Sequence, residues 1–266
     1  MVTALITGGT SGIGAEFART YARRGHDIVL VARDEARLAS SAAELRALGA
    51  PTVETLSADL SDRDAVLRVA ERLESPDAPV DILVNNAGFG VRFKLVTTDY
   101  EALDCALDVM NRAVFVLGGA AARSMKQRGR GQIINVSSTA GFVTMGAYSA
   151  IKTWVTVYTE GLANELRGTG VTATALCPGW VRTEFHERAG IAGSSIPDVM
   201  WVEAEPTVAA AVRAADRGRV IVVPSARYSF LMFIVRHLPR TTVRWVSRKL
   251  SSSRDHETTT AGAGTH

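Results

Sequence analysis

Seven short β-branched runs recur along residues 1–224, and longer stretches with helical spacing separate them. The runs are "TALIT" (3–7), "DIVLVA" (27–32), "TVETLS" (52–57), "DILVNN" (81–86), "QIINVS" (132–137), "VTATALC" (171–177) and "RVIVVP" (219–224). Strands that are almost continuously apolar are buried on both faces, as in parallel sheets covered by crossover helices. The intervening stretches 14–25, 35–49, 63–74, 100–129 and 147–168 supply those helices. Gly25, Gly49, Gly129 and Gly168 lie where helices end, at positions suited to a left-handed C-cap. Ser61 or Asp62 can cap the third helix. The pattern predicts an α/β fold: a doubly wound, seven-stranded parallel sheet with helices on both faces.

A chain of 266 residues, 47% of them hydrophobic, can bury one large core. No Pro/Gly/Ser-rich linker interrupts residues 1–225, so residues 1–224 read as one domain. Residues 225–250 read as a basic amphipathic helical segment, and the small polar stretch 251–266 as a disordered tail. Cys105 and Cys177 make no disulfide framework and read as inert packed residues. His26, His186, His237, His256 and His266 are scattered without ligand spacing, so no metal is expected. No leader is visible before the first strand, and the apolar run 230–235 is far short of the roughly 20 residues that span a bilayer. A reducing, cytoplasmic compartment is expected.

The first strand runs directly into "TGGTSGIG" (7–14), which opens a helix. A helix start carries unpaired N–H groups and the positive end of the dipole, a natural place for phosphate. Gly8, Gly12 and Gly14 make G-x-x-x-G-x-G, with Thr10, Ser11 and Ile13 between them. That spacing fits neither G-x-G-x-x-G, because Phe17 occupies the third glycine position, nor a P-loop, because no Gly-Lys-Ser/Thr follows. The bland alternative is a glycine-rich turn with no ligand. After the second strand comes Arg33, with no acid at Ala32. An acid there would bind a ribose 2′-hydroxyl, whereas an arginine accommodates a 2′-phosphate. The reading is NADP(H) in preference to NAD(H), against the plain reading of a solvated strand-end arginine.

Tyr148 and Lys152 stand four residues apart in a helical stretch, on one face. A phenol has an ordinary pKa of roughly 10, and a neighbouring cation lowers it towards the range useful for acid–base work. A lone pair of this kind is also a common surface pattern. Upstream, "QIINVS" ends at Ser137 and Ser138, at the strand end where ligands bind in such sheets. Alternation allows only one of the two to face the site, and a turn serine would look the same.

Taken together, TGGTSGIG (7–14), "NNAG" (85–88), Asn111, "INVSS" (134–138), "YSAIK" (148–152) and "PGWVRT" (178–183) resemble the short-chain dehydrogenase/reductase family, over about residues 1–224. The resemblance implies a compact Rossmann-like oxidoreductase. In it, Tyr148 would exchange the proton and Ser138 would polarise the carbonyl. Lys152 would hold the nicotinamide ribose and depress the Tyr148 pKa, and Asn111 would hold a relay water. Asn85, Ala87 and Gly88 would close the cofactor site, and Asp59 and Leu60 would flank the adenine. Pro178, Gly179, Val181 and Thr183 would contact the nicotinamide end. Homodimers or homotetramers through the helices at 100–129 and 147–168 are implied as well. One departure is a short loop: Ser138 and Tyr148 are ten positions apart, against about a dozen intervening residues in much of the family.

The expected mouth of the site is apolar: Phe89, Val91, Phe93, Phe142, Val143, Met145, Trp180 and Val181, with a lid over 184–204 that carries Phe185, Ile191, Ile196, Met200 and Trp201. Some of these must pack on one another as ordinary core. A greasy ketone or secondary alcohol is the expected substrate, long-chain, steroid-like or polyketide-like. The alternative is an NADP-binding sensor without turnover. Nine basic residues fall between Asp216 and Asp255, with no acid among them. That tail could lie on an anionic membrane, pack on a partner subunit or cap the core. No nucleic-acid-reading motif accompanies the charge.

Overall fold

The structure is a computed structural model; it describes residues 1–183 other than 92 and 94, residues 198–245, and residues 247 and 248. Most of the lid segment, including Phe185, Ile191 and Ile196, lies outside the described residues, as does the tail 251–266.

All seven expected strands form. They are β1 (Thr3–Thr7), β2 (Asp27–Ala32), β3 (Val53–Ser57), β4 (Ile82–Asn85), β5 (Gly131–Val136), β6 (Val171–Leu176) and the two-residue β9 (Ile221–Val222). They pair in parallel in the order β3-β2-β1-β4-β5-β6-β9. The order reverses between β1 and β4, and a crevice for ligands opens at the carboxyl ends on either side of such a switch point. The sequence reading does not foresee β7 (Trp180–Val181) and β8 (Trp201–Val202), which form a separate parallel pair. Two residues per strand are too few to leave a periodicity.

Helices α1 (Gly12–Arg23), α2 (Glu35–Ala47) and α7 (Ala204–Asp216) cover one face of the sheet. Helices α3 (Arg63–Glu74), α5 (Ala113–Arg128) and α6 (Gly146–Glu165) cover the other. Local chemistry sets their ends. The Asp34 and Asp62 side chains accept from the N–H groups of Arg37 and Asp64 at the starts of α2 and α3, and Gly129 closes α5 at φ 68°. Each face buries its own apolar cluster, one around Phe17, Tyr21 and Leu30, the other around Leu73, Leu83 and Leu117. Removing one such side chain from water is worth roughly 1.5–3 kcal/mol, which fixes each helix on its strand. Tyr100–Arg128 is long and apolar enough to cross a membrane by composition, but its inner residues pack in that core.

The expected helix over 100–129 is not continuous α-helix. Helix α4 (Tyr100–Leu107) passes through a π-helical turn at Asp108–Arg112 into α5. An extra residue in one turn re-aims the side chains that follow, and such turns often mark functional sites. Helix α8 (Ala226–His237) begins the C-terminal segment, and residues 240–245 are helical again beyond Pro239.

Candidate active site

The glycine loop is locked onto the end of β4. The Thr7 hydroxyl accepts from the backbone N–H groups of Asn86 (3.0 Å) and Ala87 (3.1 Å). The Asn86 amide donates to the carbonyls of Thr7 (3.0 Å) and Gly8 (3.2 Å). A Cβ on Gly8 would meet that amide and the Ala87 backbone, and one on Gly14 would collide with the Gly8 carbonyl. Gly8 and Gly12 also take φ of 64° and 54°, a region that costs other residues about 1–2 kcal/mol. Close packing of the loop on Asn86 therefore accounts for two of the glycines. Gly12 faces Thr183, whose Cβ would lie 3.3 Å from an added methyl group.

Helix α1 begins at this point. Its N-cap, Ser11, makes no side-chain cap bond among the described residues, so the first-turn N–H groups remain as donors. Thr10, Ser11, Gly12, Arg37, Arg182 and Thr183 line part of a cleft of about 440 Å³ alongside. Two guanidiniums stand near the end of β2. Arg33 is exposed and 3.8 Å from the Asp59 carboxylate. Arg37, which sequence reasoning passed over, donates to the Thr10 carbonyl at 3.4 Å. Its signal was present: it lies in the first turn of the helix that follows Arg33. Burial pushes the Asp59 carboxyl up, but hydrogen bonds from the Ser61 N–H and hydroxyl and the charge of Arg33 outweigh it and hold the pKa below its ordinary value.

Three expected cofactor contacts turn their side chains elsewhere. Asn85 is buried and donates to Asn135 across the sheet at 2.9 Å, and Asn135 donates to Thr159 at 3.0 Å. Alternation sends Asn85 inward and leaves the loop to Asn86, a residue the sequence reading gave no role. Leu60 is buried in the core beside Leu73 and Val66. Val181 is buried within its short strand. Ala87 and Gly88 stay near the loop, Gly88 with its α-carbon side against Met110. The Pro178 carbonyl accepts from the Thr139 N–H (2.9 Å) and hydroxyl (3.2 Å). Gly179 is pressed against the Tyr228 ring, with no room for a methyl group. Ile13 packs partly against the core.

At the end of β5 the two serines part. Ser137 is buried; its hydroxyl donates to the Lys152 carbonyl at 2.8 Å and lies 2.7 Å from Thr156 Oγ1. Ser138 caps a 3₁₀ turn at Thr139–Phe142 by accepting from the Ala140 N–H, and its hydroxyl is hydrogen-bonded with Tyr148. The short loop between Ser138 and Tyr148 closes through that turn. The Thr153 hydroxyl donates to the Gly141 carbonyl at 2.7 Å, and a Cβ on Gly141 would come 3.0 Å from the Lys152 carbonyl oxygen.

Lys152 is buried and donates to the Val136 carbonyl at 2.9 Å. Its ammonium lies 5.7 Å from the centroid of the Tyr148 ring. Burial lowers its pKa to about 8. The expectation that Lys152 depresses the Tyr148 pKa fails here: burial raises the phenol to about 12, and the hydrogen bond with Ser138 only partly offsets it. Desolvation disfavours both charged forms, and the ammonium is committed to a backbone carbonyl. Asn111 sits in the π-helical turn and donates to the Ile151 carbonyl at 3.2 Å, beside Lys152. Its Oδ1 is buried without a partner among the described residues, an acceptor of the kind that a buried water satisfies. Arg112, in the same turn, donates to the Ser61 carbonyl at 3.1 Å and ties the turn to the Asp59 loop.

On the substrate side, Val91 and Phe93 pack with Met110, Ile151 and Tyr148 in a small apolar cluster. Trp180 meets Trp201 edge-on at 6.1 Å, and the Arg182 guanidinium lies over Trp201 at 5.3 Å.

The family model described as short chain dehydrogenase matches residues 2–191. Gluconate 5-dehydrogenase from Gluconobacter oxydans is 33% identical over 230 residues, 82% of this chain and 89% of that protein. Among solved structures, a short-chain dehydrogenase from Sphingobium yanoikuyae in complex with NADPH aligns with TM-score 0.80 and 37% identity, covering 90% of this chain and 96% of that one. A bulky-bulky ketone specific alcohol dehydrogenase from Comamonas testosteroni aligns with TM-score 0.76 and 31% identity, with the same two coverages.

Proposed function

The chain belongs to the short-chain dehydrogenase/reductase family of oxidoreductases, and on that premise we propose that it uses NADP(H) to interconvert an apolar ketone and a secondary alcohol. The observation that carries the proposal is the convergence of Ser138, Tyr148 and Lys152 where β5 meets α6, with Asn111 bonded to the same turn of α6. The donor set at the start of α1 fits a pyrophosphate: first-turn N–H groups, a dipole end and hydroxyls from Thr10 and Ser11. Arg33 and Arg37 fit a 2′-phosphate, and no acid stands at Ala32 to favour a free ribose hydroxyl. The Sphingobium relative, in complex with NADPH, supports a nicotinamide cofactor here.

When bound, the nicotinamide donates or accepts the hydride. The residues supply the rest. Ser138 donates a hydrogen bond to the carbonyl oxygen, and Tyr148 gives that oxygen its proton as negative charge develops there. A phenol kept protonated at neutral pH is suited to the acid role in reduction. Lys152, held at the end of β5 by the Val136 carbonyl, would bind the nicotinamide ribose, and Asn111 holds a water through which the proton is replaced. Alignment and preorganised charge supply most of the acceleration. Relatives act on substrates as different as gluconate and bulky ketones, so the substrate class rests on the apolar lining of this chain: Val91, Phe93, Phe142 and Trp180. We assign oligomerisation to the α4–α6 face, where Phe115, Trp154 and Val157 are exposed around Tyr158.

The test is cofactor consumption with NADPH and NADH across apolar ketones, with sugar acids as the polar contrast. Turnover of apolar ketones with NADPH supports the proposal. Tight NADPH binding without turnover of any carbonyl compound would replace it with a binding protein.

A further inference from the structure

Helix α8 is apolar on the side that faces the protein and on the side that faces away. Tyr228 and Met232 are buried on its inner side. With 3.6 residues per turn, Phe230, Phe233 and Ile234 project outward, and they are 67%, 61% and 39% exposed. Leu231 and Leu238 flank them, and Trp245 is half-exposed in the next helical stretch. A helix that is apolar all round is ordinarily enclosed, by protein or by lipid. This one has an open outer face.

The charges around that face decide between the occupants. Arg240, Arg244 and Arg248 are exposed in the helical stretch beyond it, Arg227 and Arg236 lie on the helix itself with their guanidiniums at the Val199 carbonyl and the Phe142 ring, and no acid occurs between Asp216 and Asp255. A second copy seated face to face on a two-fold axis would set these arginines against one another with no carboxylate in the segment to pair them. Lipid phosphates supply the missing negative charge, while phenylalanine, isoleucine and leucine enter the acyl boundary and tryptophan sits at the interface. We propose that α8 and the helical residues after Pro239 dock this protein on the surface of an anionic bilayer.

The same segment grips the loops around the candidate active site. The Tyr228 hydroxyl accepts from the Trp180 N–H at 3.3 Å and donates to the Met200 carbonyl at 2.8 Å. The Arg236 guanidinium lies 5.6 Å from the Phe142 ring centre, and Ser247 accepts from the Thr144 N–H at 3.2 Å. Docking therefore leaves the loops after β5 and β6 one helix away from the lipid surface. The inference does not depend on the proposed reaction.

The test uses the full chain, sedimented with vesicles of phosphatidylcholine alone or of phosphatidylcholine mixed with phosphatidylglycerol. Binding to the mixed vesicles should exceed binding to the neutral ones by about tenfold or more and should weaken with salt. The variants Phe230→Ser/Phe233→Ser and Arg240→Glu/Arg244→Glu should each lose at least about tenfold, with circular dichroism and the unfolding midpoint unchanged. Light scattering without vesicles should give the same particle mass for the wild type and the phenylalanine variant. Absence of binding to mixed vesicles, equal binding to both kinds, or a fall in particle mass on losing the phenylalanines would overturn the proposal. The last result would assign the face to a second copy.

Discussion

Lys152 reaches Tyr148 from one helical turn away yet gives its hydrogen bond to the Val136 carbonyl, 2.9 Å from its Nζ. The ammonium is thereby fixed at the end of β5, below the phenol ring, with its pKa lowered to about 8 by burial. The pair is held by the junction between strand and helix, and each member can be tested separately.

Tyr148→Phe removes the proton donor and leaves the ring in its apolar cluster with Met110 and Ile151. Turnover should fall by about 10²–10⁴-fold, the usual scale of general acid catalysis, while NADPH affinity measured by fluorescence titration stays within about twofold. A variant with near-normal turnover would remove Tyr148 from the reaction.

The Lys152 shift has a signed consequence for stability. Its folded pKa is depressed from 10.5 to about 8, so between those values the unfolded chain binds the proton and the folded chain does not. Stability should therefore rise with pH across that window, by up to about 1.4 kcal/mol per unit from this group. Tyr148 is shifted the other way, from 10.0 to about 12, and its contribution declines only above the ordinary tyrosine pKa. Urea midpoints from pH 8 to 10 for wild type and Lys152→Met should diverge, with the rise absent in the variant.

Arg33→Ala and Arg37→Ala should each raise KM for NADPH by about tenfold or more, the scale of a lost hydrogen bond to a charged group, and change KM for NADH little. Initial rates with both cofactors decide the matter. Equal losses with both would move the arginines from the 2′-phosphate to a general packing role.

Asn86→Ala should loosen the glycine loop by removing the amide that bonds to Thr7 and Gly8. We expect a loss of about 1–3 kcal/mol in stability, read by urea denaturation, with weaker binding of NADPH and NADH alike. Asn85→Ala should cost stability through the Asn135–Thr159 chain and leave the NADPH-to-NADH preference as it was.

All seven sheet strands, the glycines at the first strand-to-helix junction and the four-residue spacing of Tyr148 and Lys152 were legible in the sequence. Each of these rests on a short local pattern: apolar runs, a helical repeat of four, glycines between a strand and a helix. What the sequence left open is orientation. Asn85 and Asn86 are adjacent and chemically identical, yet one bonds across the sheet and the other holds the loop. Leu60 and Val181 lie in the matching motifs but point into the interior. Arg37 carried no motif of its own and gained a place only when α2 laid it beside Thr10.

The one-dimensional pattern determined the parallel α/β sheet and its family, because strand and helix periods and cap residues act over a few positions. Folding in three dimensions decided that Ser137 supports α6 while Ser138 meets Tyr148, that burial outweighs the Ser138 hydrogen bond at the phenol, and that α8 keeps an apolar face outward. Those outcomes depend on desolvation and on contacts between residues far apart in the chain, such as Gly179 with Tyr228, and no local pattern encodes either.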